Sequence, residues 1–226
     1  MDGTSSCDRR VFQGPTAWLA PDVHVVAMDA DLVFLDVRAD SYLCLVGARD
    51  HVRLAPDGRL DGEAETIETL AYAGLASPMP SGRVPDMPAK PDRDLPWTER
   101  DMHGGELAAA VGAIAHTAIA FRRHGFHRLL HNVRSTRPKA ANRSPEAVLE
   151  VAGAFLRARP WMPIGGACLQ RSYLMLIYLR RLGFDADWVI GVRTWPFFAH
   201  CWLQVDGVAL DDDVERLVAY TPILRV

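Results

Sequence analysis

A thiol, an imidazole and a carboxylate in that chain order can carry out acyl transfer, and this sequence offers such a set. Cys168 follows the glycine pair Gly165-Gly166 in WMPIGGACLQRS, His200 comes 32 residues later in FFAHCWLQV, and Asp211-Asp212-Asp213 begin just past the next turn. A thiol needs help to act as a nucleophile, because only the thiolate attacks and an ordinary cysteine ionises near about 8.5. A helix N-terminus gives that help through its unpaired N–H groups and positive dipole end, and an adjacent imidazolium adds to it. The glycines would leave room for a substrate backbone beside the thiol. Taken alone, a cysteine in an apolar helix is more often packing than chemistry; the histidine and acid downstream change that balance.

The acid that faces His200 depends on one turn. A two-residue Asp206-Gly207 loop would pair Val205 with Val208 and set Asp213 opposite His200. A three-residue loop with Gly207 left-handed would form a bulge, pair Gln204 with Val208 and set Asp212 there instead. Spacing leaves both open.

These residues must be held by a helix, two strands and a turn. In the helix that begins near Cys168, Leu174, Ile177 and their neighbours are apolar all round, the pattern of a core helix, and Gly183 would end it. WVIGVR and FFAHCWLQV read as strands, turning at Asp206-Gly207 into VALDDD. Upstream, ELAAAVGAIAHTAIAFRRHG is an Ala-rich helix that Gly125 would close at C′, and Ser144-Pro145-Glu146 reads as an N-cap, Pro at N1 and an acid in the first turn, opening a helix through about Ala158. Helices followed by an antiparallel sheet make an α+β fold.

The N-terminal part reads differently. VHVVAMDADLVFLDVRADSYLCLV, residues 23–46, has three short apolar runs broken by Asp-Ala-Asp and Arg-Ala-Asp, as in a three-stranded antiparallel meander, and a helix follows at about 63–73. Residues 77–96 contain six prolines, which suit neither a helix nor a central strand. The expected organisation is a small module over 15–82, a Pro-rich linker over 83–100 and a larger domain over 101–226.

Composition narrows the classes. The chain has 226 residues, 49% of them hydrophobic, enough for a sizeable core. The start lacks an apolar signal segment, and no run of about 18 uncharged apolar residues follows, so a cytoplasmic protein without membrane contact is expected. Cys7, Cys44, Cys168 and Cys201 lie far apart without a CxxC pair, which suggests free thiols rather than a disulfide frame or zinc ribbon. The net charge of −3 does not point to nucleic acid, although residues 122–143 hold seven Lys or Arg and no acid. That stretch reads as a solvated face or as a docking surface for an acidic peptide or partner. A metal site at His124, His127 and His131 is disfavoured, since no HExxH occurs and the surrounding arginines repel a cation. His103 and His116 read as structural or incidental.

The segment GACLQRSYLMLIYLRRLGFDADWVIGVRTWPFFAHCWLQVDGVALDD resembles the transglutaminase-like cysteine peptidase core of the leader peptidases, or B proteins, of lasso-peptide biosynthesis. The shared elements are Cys-Leu-x-Arg-Ser opening a helix, a GVR strand, a His-Ala-Trp strand, then Asp-Gly and an acid, over roughly residues 165–213. The resemblance implies a papain-like peptidase fold, Cys168 as nucleophile, His200 as base and Asp212 as orienting acid, and so the bulged hairpin. Cys201 stands where the family usually has Ala and is expected to be a small buried residue.

LVFLDVRADSYLCL is similar to the strand pair of leader-recognition elements that act on ribosomally made, modified peptides. This implies a winged-helix-like module whose edge strand, about residues 41–46, takes up the leader as an added strand, with Tyr42, Leu43 and Leu45 as candidate contacts. The implied partners are the precursor peptide and an ATP-dependent cyclase that closes the macrolactam. No P-loop occurs in this chain, so no cofactor is expected here and ATP use falls to that partner. Two other readings of the same residues are a transglutaminase or acyltransferase that delivers the acyl group to an amine, and a non-catalytic leader-binding adaptor.

Overall fold

A computed structural model of the chain describes residues 16–80, 86–138, 144–162 and 166–226. Cys7, Gly165 and the basic residues Lys139 and Arg143 lie outside these. The chain divides into two compact units, residues 1–36 with 42–84, and residues 37–41 with 85–226.

The first unit runs β1 (Thr16–Leu19), β2 (Val23–Met28), β3 (Asp31–Asp36), β4 (Ser41–Leu45), β5 (Val52–Leu54), β6 (Arg59–Gly62), α1 (Ala64–Tyr72) and β7 (Ala76–Ser77). The three apolar runs form the sheet β2-β3-β4, in which β4 is an edge strand. β3 is apolar at Leu32, Val33, Phe34 and Leu35, all at most 2% exposed, so both faces of this central strand are buried. A second sheet, ordered β5-β6-β1-β7, was not legible because its strands are two to four residues long, too short for a period to register. Ile67 and Leu70 of α1 join Leu60, Phe34, Val25 and Leu19 in one core. Gly74, at φ 74, ends α1 with its N–H on the Ala71 carbonyl and the Leu75 N–H on the Leu70 carbonyl, a Schellman closure.

The second unit continues with β8 (Arg93–Asp94), α2 (Gly104–Arg123), α3 (Phe126–Ser135), α4 (Pro145–Ala158), α5 (Cys168–Arg181), β9 (Asp187–Arg193), β10 (Phe198–Val205), β11 (Val208–Ala209), α6 (Val214–Leu217) and β12 (Thr221–Arg225). Its sheet is ordered β12-β9-β10-β11-β8, antiparallel except for the parallel β11–β8 pair. α5 is the core helix: Tyr173 to Leu179 are at most 4% exposed, with α2 and α4 packed against it and β9 and β10 beneath. Gly183, at φ 84, closes α5 by the same two-bond motif as Gly74.

Gly125 does not close α2. Its φ is −78 and it caps the start of α3, a helix the sequence did not signal separately, whose Phe126, Leu129, Leu130 and Val133 face inward. α2 is long and apolar enough by length and composition to cross a membrane. In the structure its alanine face packs on α5, while Leu107, Val111 and Ile119 stay exposed.

The Pro-rich stretch is bound to the second unit over part of its length. Asp92 and Arg93 N–H groups donate to the Gly207 carbonyl, Gln204 Nε2 donates to the Ala89 carbonyl at 2.9 Å, and Lys90 Nζ donates to the Val218 carbonyl at 2.8 Å. At the far end of α5, buried Arg180 pairs with Asp185 at 3.0 Å, and Arg137, from the basic segment, pairs with the same carboxylate at 2.7 Å.

Candidate active site

Cys168 is the first residue of α5, after Ala167 in extended conformation at the N-cap. No side-chain hydrogen bond caps this terminus, and the Gln170 and Arg171 N–H groups both donate to the Ala167 carbonyl. Gly166 reaches the cap at φ 137, a conformation closed to other residues, with the Gln170 side chain folded against its Cα.

His200 lies on β10, opposite Gly191 of β9, and is 4% exposed. Its ring packs on Tyr220 at 5.2 Å between centroids. Nε2 is 2.5 Å from Asp212 Oδ2, which leaves Nδ1 for the Cys168 thiol, the ring's other hydrogen-bond partner. Gly191 is required here: a Cβ would stand 2.7 Å from the Trp202 indole, which crosses β9 at that point.

The hairpin that delivers the acid differs from the bulged form expected. Val205 pairs with Val208 and Gln204 with Ala209, a two-residue loop with positive φ at both Asp206 (49) and Gly207 (78), the type I′ arrangement. That register, continued, would have set Asp213 opposite His200. It does not continue. The Leu210 N–H still donates to the Leu203 carbonyl, but the Leu203 N–H is taken by the Asp211 carboxylate at 2.8 Å rather than by a backbone carbonyl. From there the chain leaves the sheet, which lets Asp212 reach His200 and leaves Asp213 at the N-cap of α6. The acid expected from the resemblance is therefore the one in contact, by a different route.

The electrostatics form a chain of charges. The Cys168 thiol is drawn down to about 4, chiefly by a hydrogen bond from the Cys201 thiol and then by His200, against the opposing effect of burial. Burial disfavours the His200 imidazolium, but hydrogen bonds to Asp212 and Cys168 outweigh it and hold the ring up to about 9. Burial likewise works against the Asp212 carboxylate, which stays below the usual range because His200 and the Asp213 N–H, at 2.9 Å, hydrogen-bond to it. Near neutral pH the pair is thiolate and imidazolium. Asp211 behaves oppositely: desolvation pushes it up to about 7.

Cys201 is buried, at 4% exposure, and does not face His200, as strand alternation requires. It contacts Cys168 instead, which the sequence reading missed. Its Sγ lies 3.3 Å from Ser172 Oγ, one turn along α5 from Cys168; Ser172 Oγ donates to the Cys168 carbonyl at 2.9 Å and accepts from Trp188 Nε1 at 2.8 Å. The available signal was that residues 168 and 172 share a helical face and Cys201 points toward that helix.

The remaining sequence candidates lie elsewhere. Tyr42, Leu43 and Leu45 sit on β4 in the first unit; Leu43 is 39% exposed and the other two are half-buried. Cys44, between them, is a half-buried thiol raised by burial. His116 Nε2 is 3.1 Å from Tyr173 OH in the packing of α2 on α5. Among the described residues no group of three His, Cys, Asp or Glu side chains is placed to hold a metal.

A family model described as the transglutaminase-like superfamily matches residues 112–225. Among curated proteins, the Microcin J25-processing protein McjB of Escherichia coli is 44% identical over 45 residues, 20% of this chain and 22% of that protein. The chain thus spans about a fifth of the length of this curated relative. No solved structure matches the chain.

Proposed function

The chain belongs to the transglutaminase-like superfamily, and from that premise we propose that it is a cysteine peptidase of lasso-peptide biosynthesis that binds a ribosomally made precursor and hydrolyses off its leader. The observation that carries this is the Cys168–His200–Asp212 arrangement: a thiol at a helix N-terminus in contact with an imidazole whose Nε2 is 2.5 Å from a carboxylate. The similarity to a microcin-processing protein and the sequence motifs shared with lasso leader peptidases favour a peptide substrate.

The chemistry follows from the charges. The Cys168 thiolate attacks the scissile carbonyl, and the oxyanion accepts from the Cys168 backbone N–H at the helix end. The His200 imidazolium gives its proton to the departing amine, the new N-terminus of the core peptide, and a thioester remains on Cys168. Neutral His200 then takes a proton from water, hydroxide attacks the thioester, and the leader leaves as a carboxylate. Asp212 keeps the ring oriented and offsets its positive charge throughout.

The first unit holds the leader through β4, with Tyr42, Leu43 and Leu45 as the contacts of an added strand. The core peptide passes to an ATP-dependent cyclase, so this chain needs no cofactor of its own, and the reaction takes place in the cytoplasm. Incubating the protein with its precursor, with and without Cys168→Ala, tests the reading by mass spectrometry. Free core peptide from the native protein alone supports the peptidase. An amine-linked product would make it a transferase, and equal function of both proteins would leave it an adaptor.

A further inference from the structure

Arg193 ends β9 directly opposite Phe198, and Phe198 lies two residues before His200 on the same face of β10. The guanidinium carbon stands 4.7 Å from the centre of the Phe198 ring and 5.6 Å from that of Tyr220, the ring that also packs on His200. Two residues of strand, roughly 7 Å, separate Arg193 from Gly191, the partner of His200. The guanidinium therefore belongs to the wall of the site.

Its polar bonding is unfinished. Nε is buried and has no hydrogen-bond partner, and among the described residues no carboxylate or carbonyl oxygen bonds the guanidinium. Elsewhere in this unit Arg100 pairs with Glu106, and Arg137 and Arg180 pair with Asp185. A desolvated cation is costly without a counter-charge, and here a second cation, the His200 imidazolium, shares the same wall. Arg193 as a whole is only half-buried, and the planar edge of a guanidinium matches a carboxylate with two parallel hydrogen bonds. Phe198 is half exposed and Trp195, in the adjoining loop, is 66% exposed, so the open edge is apolar, as suits a peptide rather than a free ion.

We propose that Arg193, stacked between Phe198 and Tyr220, is the recognition group for a carboxylate carried by the peptide that reaches Cys168. This rests on Cys168 being the nucleophile. Two carboxylates have the required chemistry: an acidic side chain near the scissile bond, and the terminal carboxylate that hydrolysis creates.

Alkylation of Cys168 tests this without knowledge of the substrate. Iodoacetate carries the carboxylate and iodoacetamide is its neutral counterpart; the ratio of their rates on Cys168 falls about tenfold in Arg193→Gln and less in Arg193→Lys. A ratio the same in native protein and Arg193→Gln overturns the proposal. On the native chain, protection against iodoacetamide by N-acetyl-Ala-Ala, by its C-terminal amide and by N-acetyl-Ala-Asp amide separates the sources. Protection by the free acid assigns the terminal carboxylate and protection by the Asp peptide assigns the side chain, while no advantage of either over the neutral amide overturns the proposal even where Arg193→Gln does not fold. If Cys168 reacts with neither reagent, the nucleophile fails and this inference with it; if it reacts readily with no dependence on Arg193, only this inference fails.

Discussion

At the scale of single residues, the reactivity of Cys168 depends on a neighbour that spacing alone did not single out. Cys201 donates to the Cys168 thiolate, His200 adds its charge, and both act against desolvation. Cleavage should accordingly follow a bell-shaped pH profile. Its acid limb, near about 4, protonates the thiolate, and its alkaline limb, near about 9, removes the imidazolium proton needed by the leaving amine. Replacing Cys201 by Ala, the residue usual in the family resembled, removes the largest stabilising contact and should raise the acid limb by about one pH unit or more. Cys201→Ser, which keeps a donor, should shift it less. The rate of Cys168 alkylation by iodoacetamide across pH reads this directly, and an unmoved acid limb in Cys201→Ala would refute the role given to that thiol.

At the scale of elements, what was legible followed from unbroken local patterns. The all-round apolar helix after Cys168, the Ser-Pro-Glu start of α4, the β2-β3-β4 strands and the Gly183 stop each express one rule over a continuous stretch. The hairpin after His200 did not, because counting residues across a turn assumes that the ladder persists. The strand pairing ends at Ala209, and a side chain, Asp211, takes the next backbone donor. The pairing of the Pro-rich segment was not legible for a related reason: proline excludes helix locally but says nothing about pairing with a distant edge, as β8 does with β11. Asp211 yields a prediction at this scale. Its folded-state pKa is raised by desolvation from 3.8 to about 7, so between those values the folded chain keeps a proton the unfolded chain has lost. Stability therefore falls as pH rises through that window, by at most about 4 kcal/mol above it. Asp211→Asn can still accept from the Leu203 N–H and should raise the melting temperature at pH 8, with the gain vanishing near pH 4. A gain independent of pH would mean that proton linkage is not its cause.

At the scale of the whole molecule, the chain divides into a unit in which β4 is an edge strand and a unit with a thiolate–imidazolium pair. If the first captures the leader and the second cuts it, the two steps come apart under mutation. Proline at position 43 removes a backbone N–H from β4 and forces a kink where an added strand would lie. Leu43→Pro should therefore weaken binding of a labelled leader peptide by about tenfold or more and raise KM for cleavage, in the manner of lost uniform binding. Cys168→Ala should do the reverse, abolishing turnover while holding the leader as tightly as the native chain. The leader alone, without its core, should compete with cleavage of the full precursor, because capture depends on β4 and not on the scissile bond. Fluorescence anisotropy of the labelled leader, beside mass-spectrometric cleavage rates, measures both steps on the same preparations. Leader affinity unchanged in Leu43→Pro would remove β4 from recognition and leave the first unit without its proposed role, while Cys168 and His200 would keep theirs.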